Sequence, residues 1–127
     1  MARGGVRMGF DVDAFAPDHR CVSRDPTLSA AFAAASEWVS GATGGVDGFL
    51  SLGSLDCGQA IDYLSRGLGR VCDPAAGIWP PDDVQAMAAA AQWPAPESVP
   101  PDEMWAYWSA RRFLDVCVEQ GLGIWFS

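Results

Sequence analysis

Apolar positions recur along this chain at two different periods, and the switches between them mark out its elements. Residues 9–15, Gly9-Phe10-Asp11-Val12-Asp13-Ala14-Phe15, alternate as a strand does, with Phe10, Val12 and Ala14 on one face and Asp11, Asp13 and Phe15 on the other. Pro17-Asp18-His19-Arg20 breaks the alternation, and Cys21-Val22-Ser23 reads as its weak continuation. Helical spacing takes over at Asp25-Pro26, an N-cap followed by a proline at the first helical position. Leu28, Ala31, Phe32, Ala35, Trp38 and Val39 form the apolar stripe, and the helix is expected to end near Ser40-Gly41.

Beyond a glycine-rich loop, Phe49-Leu50-Ser51-Leu52 predicts a short strand. Ser54 or Asp56 caps the next helix, whose inner face is Cys57, Ala60, Ile61, Leu64 and Leu68. Gly67-Leu68-Gly69 closes it and a short strand is expected after it. Pro80-Pro81-Asp82-Asp83 announces a third helix that buries Val84, Met87, Ala88 and Ala91, and residues 93–101 form a proline-rich connector at the surface.

The last stretch is organised most sharply. A helix is expected from Asp102 and Glu103 to Gly121, where glycine accepts the left-handed closing conformation, and Gly123-Ile124-Trp125-Phe126 has strand composition. Ala106, Ala110, Phe113 and Cys117 fall on one arc of this helix, flanked by Leu114 and Val116. Arg111, Arg112, Asp115 and Glu119 fall opposite, with Trp108 in their midst and Trp105 at the edge. Two readings follow for that indole. Either it belongs to a binding surface of Trp105, Trp108, Arg111 and Arg112, or a second layer of the fold covers and buries it.

Composition narrows the function classes. The 127 residues suffice for one domain with its own core, taken as residues 8–127 behind a flexible tail of residues 1–7. No apolar run is long enough to span a membrane, and the first residues lack the apolar core of a secretory signal, so a cytoplasmic setting is expected. Sixteen acids against eight arginines, a net charge of −8, disfavour nucleic acid and anionic lipid and favour a protein partner with a basic or neutral surface. The absence of Lys and Asn beside abundant Ala, Gly, Pro and Arg suggests a bacterial genome rich in G and C.

Candidate chemistry is sparse. The loop of residues 41–48 has neither GxGxxG spacing nor a Gly-Lys-Ser/Thr ending, so it is not a phosphate cradle. No CxxC pair occurs, and His19, Cys21, Cys57 and Cys72 match no recurrent zinc spacing, so neither metal nor cofactor is expected. Asp11 and Asp13, on one strand face with His19 nearby, are the residues an acid–base site would use; an exposed sheet face alternates in the same way. No nucleophile motif accompanies them.

Three blocks carry a resemblance: Gly45-Val46-Asp47-Gly48-Phe49-Leu50, Pro80-Pro81-Asp82-Asp83-Val84-Gln85-Ala86-Met87, and Arg112 through Ile124. They resemble the small bacterial YfbM-like family, and the resemblance implies a compact α+β fold without assigning a catalytic residue. The residues themselves predict the same class: an α+β domain of about four helices on a small, mostly antiparallel sheet, with the N- and C-terminal strands adjacent. The function expected is a small acidic binding or interaction protein of immunity or inhibitor type. The alternative is a small enzyme acting on a hydrophobic or aromatic small molecule, a ligand class open to either reading.

Overall fold

The computed structural model describes residues 11–18 and 21–127. Four helices pack on one face of a four-stranded sheet: β1 (Val12–Phe15), α1 (Pro26–Thr43), β2 (Ser54–Leu55), α2 (Gly58–Leu68), β3 (Ile78–Trp79), α3 (Pro81–Ala90), α4 (Met104–Gln120) and β4 (Gly123–Phe126). The strand order is β2-β1-β4-β3 and every pairing is antiparallel. The first and last strands are central neighbours, as expected, while the two-residue strands take the edges, which leaves little backbone open for further pairing. The tail, Met8, Gly9, Phe10, His19 and Arg20 lie outside the described residues.

Alternation sets which strand residues meet the helices. Val12, Ala14, Leu55, Trp79, Ile124 and Phe126 point inward and are buried, and the helices cover them. α4 runs through the middle, packed against α1, α2 and α3 together. Its small-residue arc is as the spacing predicts: Ala106, Ala110, Phe113 and Cys117 are fully buried. Tyr107 is buried as well, because α2 and the connector cover a second side, and Ser109 is also buried.

Caps account for the helix limits. Asp25 accepts from the backbone N–H groups of Thr27 and Leu28 at 3.0 and 3.1 Å, and Pro26 opens α1. α1 runs past the expected stop at Gly41 to Gly44, the first position with the left-handed backbone that ends a helix. At the end of α4, Gly121 is left-handed and the Leu122 N–H reaches the Cys117 carbonyl at 2.8 Å, a Schellman ending with Leu122 folded into the core. The matching Gly67-Leu68-Gly69 is used one step differently. Gly67 and Leu68 remain helical, Gly69 closes the turn, and no strand follows until Ile78.

Four local expectations need correction. Leu50–Leu52 is a single 3-10 turn rather than a strand, with Ser54–Leu55 taking the strand position after Gly53; Val22–Arg24 is likewise a 3-10 turn. α2 begins after Cys57, which makes no side-chain cap bond, so neither Ser54 nor Asp56 caps it. Trp38 is not on the buried stripe of α1. Leu28, Phe32, Ala35 and Val39 supply that stripe, and Trp38, one residue off it, is 43% exposed.

Candidate functional site

The outward face of the sheet carries the more open of two candidate regions. Register places Ser54 opposite Asp13, Asp13 opposite Trp125, and Trp125 opposite Ile78, so one row crosses all four strands from polar to apolar. Adjacent strands lie roughly 4.8 Å apart, so the row spans about 14 Å. Ser54 donates its hydroxyl proton to Asp13 Oδ1. In the next row Phe15 faces Gly123, and the missing side chain lets the Phe15 ring lie over the glycine; a Cβ there would collide with the ring and stand 2.8 Å from the Trp79 carbonyl oxygen.

A cleft of about 510 Å³ follows this face, with Asp13 and Ser54 on its floor, Trp125 and Ile78 on one side, and Leu52 and Val22 on the other. Leu52, Ile78 and Trp125 are 55%, 60% and 50% exposed. Leu52 is delivered by a strained approach: Phe49 takes a left-handed backbone (φ 67°), a conformation a bulky side chain avoids, held by Asp47 Oδ1 accepting from the Phe49 N–H at 2.9 Å. Gly53 then turns the chain into β2, close against Val22.

Acidic groups gather at the polar end. Burial, then the nearby charges of Asp11, Asp13 and Asp47, push the Asp56 carboxyl above its usual range. Asp11 is fixed through its backbone, which exchanges hydrogen bonds with Ser127 at 2.9 and 3.0 Å. At the rim, the exposed Cys21 thiol lies 3.0 Å from the Ser23 hydroxyl, whose hydrogen bond lowers its pKa. Of the two described members of the predicted acid–base trio, Asp13 lines the cleft and Asp11 stands at the strand's start; His19 lies outside the described residues. Among the described residues no three His, Cys, Asp or Glu side chains come together as metal ligands.

The predicted binding quartet on α4 divides. Trp105 turns away: its Nε1–H donates to the Asp102 carbonyl at 3.0 Å and its base packs on Gly45, where any Cβ would collide with it. Trp108, Arg111 and Arg112 are half-buried and meet Trp38 of α1 and Trp93 of the connector. Trp108 is edge-on to Trp38 at 5.1 Å and to Tyr107 at 5.2 Å. The Arg111 guanidinium stands over Trp108, Trp93 and Tyr107 at 5.1, 5.5 and 5.6 Å. It donates to the Tyr107 hydroxyl at 2.9 Å, and that hydroxyl donates to the Pro94 carbonyl at 2.5 Å.

Arg112 covers Trp38 at 5.2 Å and reaches Asp115 at 3.7 Å. Burial raises the Asp115 pKa, opposed by the two arginines. Trp93 sits on Gly67, where a Cβ would come within 2.5 Å of the ring, and Gln92 N–H bonds the Gly67 carbonyl at 2.8 Å. The seam's rings and guanidiniums thus contact one another, while Arg112 Nε is buried there with no hydrogen-bond partner among the described residues. Sequence reasoning missed Trp125, Ile78 and Leu52 as a group, because only strand register brings them together.

No protein-family model, curated protein or solved structure matches the chain. Among the described residues no helix is long and apolar enough to cross a membrane.

Proposed function

We propose that this chain is a non-catalytic recognition protein, of immunity or inhibitor type, that holds a basic or neutral protein partner on the open face of its sheet. One observation carries the proposal: Trp125, Ile78 and Leu52, all about half exposed or more, converge on one cleft that no described helix covers. Large apolar side chains grouped around a depression are the usual anchors of a protein contact, and tryptophan is prominent among them. The Trp38–Trp108–Arg111–Arg112 seam is assigned a packing role in this reading, since its rings and guanidiniums already contact one another. The resemblance to YfbM-like proteins remains a proposed kinship of fold.

The test is affinity capture followed by titration with the purified partner. Trp125→Ala and Ile78→Ser should weaken the complex about tenfold or more while leaving the melting temperature nearly unchanged. Retained affinity in both variants, with loss instead in Arg112→Ala, would return the contact to the seam. A second reading, an enzyme for a hydrophobic or aromatic small molecule, draws on the cleft's volume, which falls in the range of about 300–1,000 Å³ usual for small ligands. Asp13 is the member of the predicted acid–base trio described in the cleft, and turnover lost in Asp13→Asn would establish it.

A further inference from the structure

Resting on the sheet-face reading, we infer that the partner segment seated there is basic: an arginine or lysine on Asp13, with an apolar side chain two residues away against Trp125 and Ile78. The row across the sheet supplies the geometry. Asp13 and Trp125 are direct cross-strand partners, and Ile78 lies one strand further. Their positions are therefore roughly 5 and 10 Å from Asp13, which brackets the separation of about 7 Å between same-face side chains of an extended peptide. A segment laid across the strands puts one side chain at the polar end and the next at the apolar end.

Charge selects the sign of the first. Asp13 accepts a hydrogen bond from Ser54, which occupies one carboxylate oxygen and leaves its charge uncompensated. Among the described residues, neither Asp11, Asp13 nor Asp56 has a cationic partner; the arginine ion pairs there join Arg66 to Asp62 and Arg112 to Asp115. The raised pKa of Asp56 reports the same crowding of negative charge, after burial. A cation entering the cleft relieves that repulsion, whereas an acidic side chain adds to it. At a net charge of −8 the whole chain also steers basic partners inward.

Three peptide amides test this on the full chain by two-dimensional NMR: acetyl-Gly-Arg-Thr-Leu-Gly, the same peptide with Glu for Arg, and the same with Gly for Leu. The arginine–leucine peptide should shift the Trp125 indole N–H and the Asp13 and Ser54 amides. It should bind about two- to fivefold tighter than the glutamate peptide, the size of a part-exposed ion pair. Asp13→Asn should abolish that preference while keeping leucine-dependent binding. Equal binding of the arginine and glutamate peptides at the cleft would overturn the charge inference and leave the sheet-face reading standing. No shift at the cleft with any peptide, or shifts confined to Trp38 and Trp108, would overturn both. Concentration-dependent dimerisation that shifts the same cleft signals would make a second copy the occupant and overturn the basic-segment inference.

Discussion

Two regions of this protein each place tryptophan beside charge, and they differ in what completes them. In the seam between α1 and α4, the indole of Trp108 meets the rings of Trp38 and Tyr107 and the Arg111 guanidinium, which is itself held by a tyrosine hydroxyl. On the sheet's outer face, Trp125 stands half exposed between an aspartate and an isoleucine. Cation–π and edge-to-face contacts made within the chain stabilise the fold, and the same side chains left open stabilise a complex instead. A tryptophan among polar residues therefore signals function only when its neighbours in space leave it unfinished.

The comparison breaks most readily on paired truncations. Trp108→Ala should cost about 2–4 kcal/mol in urea unfolding, because it empties a packed site on the central helix. Trp125→Ala should cost under about 1 kcal/mol, the scale of a cross-strand pair. Equal losses would erase the distinction between the regions.

Gly123→Ala comes next, at about 1–3 kcal/mol, since the added methyl collides with the Phe15 ring and the Trp79 carbonyl. Combining it with Phe15→Ala should recover part of that loss in a double-mutant cycle; strict additivity would mean that the ring does not fill the glycine's place. Arg111→Gln should cost about 1–2 kcal/mol, removing the stacked guanidinium and its bond to Tyr107, with partner affinity unchanged.

The smallest effect is a pH dependence. Asp56 has a raised pKa in the folded chain, so the native state holds that proton more firmly than the unfolded chain does. Ionising Asp56 as pH rises through and just above the ordinary carboxylate range then weighs against folding. Asp56→Asn should gain stability relative to the parent chain as pH rises through and just above the ordinary carboxylate range, and the gain should then flatten. A gap that narrows across this range would reverse the sign assigned to Asp56.

What could be read in advance was chemistry decided by near neighbours in the chain. The Asp25-Pro26 cap, the Gly121 ending, the dry arc Ala106–Ala110–Phe113–Cys117 and the two faces of β1 all follow from backbone preference and period within a few residues. The errors arose where local preference was weak or split. Phe49-Leu50-Ser51-Leu52 has strand composition, yet the Asp47 side chain and the left-handed Phe49 turn it into a 3-10 loop. Trp38 lies one position off the stripe of α1, and only the arrival of α4 decided that it would flank the core.

The four helices and the dry arc of α4 were thus properties of the chain itself, because hydrogen-bond period and side-chain burial act locally. Strand order, the row Ser54–Asp13–Trp125–Ile78 and the assignment of one tryptophan to packing and another to the surface required the tertiary structure. Asp13 and Trp125, partners in that row, stand 112 positions apart in the chain, and nothing short of the folded register sets the distances between such residues.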